Sequence, residues 1–100
     1  MSIALNIKWN KGALKQLGEA IFYIENDSYI NAQKVRKDIL LKIDGLLKHP
    51  ESHSLDKFKI KNDGSFRAFE IHSYRISYRY QKNEIRIIRL RHTKMNPLGY

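Results

Sequence analysis

The sequence has no cysteine, and that one absence excludes disulfides, thiolate metal ligands and cysteine nucleophiles together. Its four histidines are scattered without zinc-like spacing, so neither a metal nor a cofactor is expected. No stretch approaches the ~18 consecutive apolar residues of a membrane span. The opening Met1-Ser2-Ile3-Ala4-Leu5-Asn6 lacks the basic start and apolar run of a signal peptide, which predicts a cytoplasmic protein without a membrane partner. Also missing are a Gly-rich phosphate loop, a Ser-His-Asp arrangement and a carboxylate pair. There is no internal repeat, low-complexity tract or linker, and 100 residues suffice for one domain, 1–100, with one core.

Acidic residues are scarce in the second half. Residues 57–94 hold eleven Lys and Arg against Asp63, Glu70 and Glu84, a balance of +8, whereas residues 1–56 hold eight against seven. The net charge of +9 therefore belongs to one region, and a basic region on a small domain points to a polyanionic partner, a nucleic acid or an acidic protein segment. A charged surface that only aids solubility is the competing explanation.

That basic region reads as strands. Phe66 to His72, Tyr74 to Tyr80 and Ile85 to His92 are separated by the short breaks His72-Ser73 and Gln81-Lys82-Asn83, the pattern of an antiparallel meander. In the middle strand Tyr74, Ile76, Tyr78 and Tyr80 alternate with Arg75, Ser77 and Arg79, sending apolar and basic side chains to opposite faces. The last strand is out of phase with itself, since Ile85 and Ile87 fall on one alternate set and Ile88 and Leu90 on the other. A bulge or a partly covered second face accounts for this; Ile88 and Leu90 are expected in the core, with Arg89 and Arg91 beside Arg75 and Arg79.

Upstream, Ile3, Leu5 and Ile7 alternate as a first strand of the same sheet. Asn10 is placed to cap a helix over 11–26 with the apolar stripe Ala13, Leu14, Leu17, Ala20, Ile21 and Ile24. Ser28 is placed to cap a second helix with the stripe Ala32, Val35, Ile39, Ile43 and Leu46, ended by Pro50. So short a break makes the helices an antiparallel hairpin, whose apolar stripes the sheet must cover. Residues 57–61 alternate as a short edge segment before the turn Asn62-Asp63-Gly64. The prediction is an α+β fold, a β-α-α-β-β-β two-layer sandwich with the hairpin on one face of a small, mainly antiparallel sheet and the other face open.

On the open face, arginine forks at Arg75, Arg79, Arg89 and Arg91 suit phosphate binding and stabilisation of a phosphorane during RNA cleavage. Glu70 and His72 join them if their strand keeps its alternation. His92, at the end of the last strand, is a proton donor or acceptor in such chemistry and otherwise a structural residue. Lys94 and Tyr100 either fold back over the basic face, where a tyrosine stacks on a base, or belong to a frayed end. Arg75, free of packing, is expected to tolerate alanine within about ±0.5 kcal/mol.

Taken in order, Ala20-Ile21-Phe22-Tyr23-Ile24, Leu46-Leu47-Lys48-His49-Pro50, Phe66-Arg67, Tyr74-Arg75-Ile76-Ser77-Tyr78 and Ile87-Ile88-Arg89-Leu90-Arg91-His92 resemble the RelE/ParE superfamily of toxins from bacterial type II toxin–antitoxin systems, over nearly the whole chain. The resemblance implies a growth-inhibiting toxin neutralised by a cognate antitoxin. It acts either on DNA gyrase, as ParE-like members do, or as a ribosome-dependent mRNA endonuclease, as RelE-like members do; a non-toxic, antitoxin-binding relative is the third reading. If the chain is a nuclease, the resemblance implies Arg75, Lys94 and Tyr100 as catalytic residues, to which His92 is added as the proton donor or acceptor at the strand end. Under any of the readings, Arg67, Arg79, Arg89 and Arg91 are expected as nucleic-acid or partner contacts. Against the nuclease, Ala68 and Glu70 stand where RelE-type enzymes carry lysines on the second strand, which inclines the reading to ParE.

Overall fold

The computed structural model describes residues 4–96 and 98–100. Its elements follow the expected order: β1 (Asn6–Trp9), α1 (Lys11–Glu25), α2 (Tyr29–Asp44) with a 3-10 turn (Gly45–Leu47), β2 (Phe66–Ile71), β3 (Tyr74–Gln81) and β4 (Glu84–His92). The sheet order is β1-β4-β3-β2; β1 runs parallel to β4 and the other pairs are antiparallel. Ile3, expected in the first strand, lies outside the described residues.

Both helix starts carry the predicted residue, but they work differently. Ser28 accepts a hydrogen bond from the Asn31 amide at 3.1 Å, the usual N-cap bond. Asn10 occupies the cap position of α1 without a side-chain cap bond, because its Oδ1 accepts from Arg86 Nη1 at 3.1 Å on β4. The α2 stripe is buried as expected, and so are Ala13, Leu17, Ala20 and Ile21 of α1. Leu14, at the margin of that stripe, is 52% exposed.

The two hairpins place their breaks where the sequence indicates. His72 and Ser73 both take positive φ, 51° and 67°, the backbone of a two-residue hairpin turn matched to strand twist. In β4 the bulge lies opposite Ser77/Tyr78: Arg89 pairs with Ser77 and Ile87 with Tyr78, so Ile88 is the extra residue. This corrects the expected core assignment. The shift of phase lets Ile85 and Ile87 on one side of the bulge and Leu90 on the other all reach the helices, and Ile88 is only half-buried. Beyond the end of β1 the Leu90 amide is taken by Gln16 Oε1 of α1 at 2.8 Å.

Residues 57–61 are not the expected edge segment. Asp56 Oδ1 accepts from the Phe58 amide and the Asp56 carbonyl from the Lys59 amide, folding the chain into a local turn that competes with extension. Among the described residues, only Leu55 forms an isolated bridge, with Arg67 of β2. The second face of the sheet is consequently not bare: the loop of residues 54–65 and residues 98–100 lie across it.

Candidate functional site on the basic face

Strand register writes this face as three cross-strand rows: Glu70, Arg75 and Arg91; Ala68, Ser77 and Arg89; Phe66, Arg79 and Arg86. The middle row is small on two strands, which leaves a depression between arginines. Arg75 directly opposite Arg91 is a like-charge pair that needs anionic compensation.

Asp56 supplies it from the loop. Its side chain is fully buried, and Oδ1 accepts from Arg75 Nη2 at 2.9 Å while Oδ2 accepts from the Tyr100 hydroxyl at 2.6 Å. Arg75 Nη1 also donates to Glu70 Oε2 at 3.0 Å, and its guanidinium lies 4.9 Å from the Phe58 ring centre. Burial works to raise the Asp56 pKa, but Tyr100, Arg75, the neighbouring Ser77 hydroxyl and the Phe58 amide together outweigh it and hold the carboxyl below its usual range. For Arg75 burial works against the charge and is likewise outweighed by Asp56 and Glu70, so its pKa is raised. Arg75 is on the predicted face but is not free there: it is the counter-ion of a buried carboxylate, which overturns the expectation of a negligible stability role.

Tyr100 is docked rather than frayed. Its amide donates to the Phe58 carbonyl at 3.1 Å and its carbonyl accepts from the Ile60 amide at 2.7 Å. Arg89 covers the ring at 4.2 Å from its centre, and Phe66 meets it edge-on at 6.1 Å. Burial, then the bond to Asp56, pushes the hydroxyl pKa well above the usual tyrosine value. Arg89 Nη2 donates to the Leu98 carbonyl at 2.6 Å and Arg91 Nη2 to the Asn96 carbonyl at 3.2 Å. Arg79 is held by Ser65 Oγ and Asp63 Oδ2 at 2.9 and 3.1 Å.

The remaining candidates lie at the margins. His92 packs edge-on against Tyr74 and its Nδ1 accepts from the Lys94 amide at 3.0 Å. Lys94 lines an apolar groove of about 530 Å³ between α1 and the end of β4, shared with Gln16, Ala20, Tyr23 and Leu90, and not the basic depression. Arg67 points to the helix side of β2, in register with Tyr78, and donates to the Glu51 and His53 carbonyls. His72 leaves the basic face to pair with Asp38 of α2 at 2.7 Å. Thus Arg75, Arg89, Arg91, His92 and Tyr100 come together, while Lys94 and Arg67 stand apart. The organising residue, Asp56, was not among the sequence candidates; its one signal is a lone carboxylate immediately before a strongly basic stretch. Among the described residues no group of three metal-ligating acids or histidines occurs, and no helix is long and apolar enough to cross a membrane.

A family model described as the ParE toxin of the type II toxin–antitoxin system parDE matches residues 7–97. No curated protein sequence matches the chain. Among solved structures, a chain of the chromosomal ParDE toxin–antitoxin system from P. aeruginosa superposes with a TM-score of 0.71 at 18% identity, covering 93% of this chain and 100% of that one. The YoeB dimer from Staphylococcus aureus superposes at 0.55 and 20% identity, covering 87% and 94%. At such identities these two likenesses speak for the fold.

Proposed function

Since the chain belongs to the family of ParE toxins of type II toxin–antitoxin systems, we propose that it inhibits growth by acting on DNA gyrase and is neutralised by a cognate antitoxin. The observation that carries gyrase over mRNA is the junction at Asp56. A nuclease needs a phosphate-binding cation and a proton-transferring group presented to substrate. Here the Arg75 fork is closed on Asp56 and Glu70, and the Tyr100 hydroxyl is spent on the same carboxylate. A protein target instead requires an accessible complementary surface. The closing end of the helix hairpin offers one, with Phe22, Tyr23, Tyr29 and Ile30 all at least 65% exposed.

The antitoxin reading draws on the family and on two surfaces, the apolar groove beside α1 and the basic face, which together suit an acidic amphipathic segment. Induced expression tests the whole. Growth should stop, DNA breaks should accumulate, mRNA 5′ ends should stay unchanged, and co-expression of the adjacent antitoxin gene should restore growth. Ribosome-dependent mRNA cleavage without DNA breaks would assign the chain to the RelE-like mechanism, and normal growth with folded protein would leave a non-toxic antitoxin binder.

A further inference from the structure

The apolar groove beside α1 owes its existence to strands of unequal length. β1 pairs with β4 from Glu84 to Ile87, and beyond that point the edge of β4 has no strand beside it among the described residues. α1 crosses the gap, and the Gln16 side-chain oxygen accepts from the Leu90 amide at 2.8 Å. Backbone groups two residues apart on a strand point the same way, so the His92 amide is turned to this side as well. The space left has a volume of about 530 Å³, the size of a small-molecule site.

Its lining combines rings with hydrogen-bond donors. Ala20, Tyr74 and Leu90 are buried, Tyr23 is exposed, and His92 meets the Tyr74 ring edge-on at 5.1 Å. With its oxygen committed to Leu90, Gln16 has its carboxamide NH2 to offer. Arg91, which lies between this groove and the basic depression, spends Nη2 on a neutral carbonyl, that of Asn96. Lys94 is exposed and makes no ion pair among the described residues. Burial, then Tyr23, raises the Tyr74 pKa, so that hydroxyl stays protonated and can donate. The one carboxylate in the lining, Glu19, stands 4.0 Å from Lys15 on its own helix.

We infer that this groove binds a small aromatic carboxylate, its ring body against Tyr23, Tyr74 and Leu90 and its carboxylate toward Arg91 and Lys94. A ligand without an acceptor would bury these donors unpaired, which is costly, whereas a carboxylate is acceptor-only and forms the stronger, charge-assisted bonds. Glu19 disfavours a second negative charge at the α1 side of the groove, so a monoanion fits better than a polyanion. The inference goes beyond the proposed function, because it names a ligand that is neither gyrase nor antitoxin and is read on the purified chain alone.

The probe is naphthoate, titrated into the full chain by calorimetry while amide chemical shifts are followed by NMR, with naphthamide as its neutral match. Naphthoate should bind at least tenfold more tightly than naphthamide and should move the Ala20, Leu90 and His92 amides while leaving Ser77 and Arg79 in place. Lys94→Gln, at an exposed position, should weaken naphthoate at least fivefold and leave naphthamide unchanged. Ala20→Met, which narrows the groove, should weaken both, with the thermal midpoint confirming that the variant is folded. Absence of saturable binding at millimolar naphthoate, equal affinity for acid and amide, or shifts centred on Ser77 and Arg89 overturns the inference. So does an acidic amphipathic peptide that moves Ala20 and Leu90 where naphthoate does not, since the groove would then be a macromolecular surface.

Discussion

Replacing Arg75 by alanine leaves the Asp56 carboxylate buried with only the Tyr100 hydroxyl and the Phe58 amide. Removing one partner of a buried pair costs 3–5 kcal/mol in general, and two surviving donors put this case near about 3 kcal/mol, measurable by urea unfolding. Arg75→Ala combined with Asp56→Ala should cost clearly less than the two changes summed; additivity would mean that the pair is not coupled. Asp56 also ties stability to pH. Its folded pKa lies below the ordinary value near 4, so its contribution is complete above that value and disappears as pH falls through the lower, folded one. Acid titration of stability should therefore be steeper for the wild type below about pH 4 than for Asp56→Asn, and equal slopes would contradict the assignment. None of this was legible in the sequence, since Asp56 meets partners 19 and 44 residues away and no local pattern connects them.

At the scale of elements, local rules held where local groups settle the outcome. The Ser28 cap is complete within three residues, and Ser28→Ala should cost about 1 kcal/mol; Asn10→Ala should cost less through capping, because Arg86 has taken its side chain. Thermal midpoints of the two variants separate these roles. The last strand shows the opposite case: its mixed phase announced an irregularity, but only pairing with β3 settles that Ile88 is the bulged residue. Likewise the alternation of 57–61 was real, and the turn begun by Asp56 overrode it. The hairpin tip carries the proposed protein contact, so Phe22→Ser with Ile30→Ser should leave the thermal midpoint nearly unchanged while lowering gyrase inhibition at least tenfold. Full inhibition by the double variant places the contact elsewhere.

For the whole molecule, element order and layer arrangement were legible because hydrophobic period and short breaks encode them directly. The covered basic face was not, because it depends on a loop and a chain end meeting over the sheet. The one-sided charge of residues 57–94 should make antitoxin association fast at low ionic strength and steeply slower with salt, and a rate that does not change with salt would remove electrostatic steering. The gyrase assignment is tested most directly by incubating purified protein with DNA gyrase and supercoiled plasmid, and in parallel with translating ribosomes. The proposed function predicts trapped gyrase–DNA cleavage with intact mRNA; unperturbed gyrase and cut mRNA would contradict it.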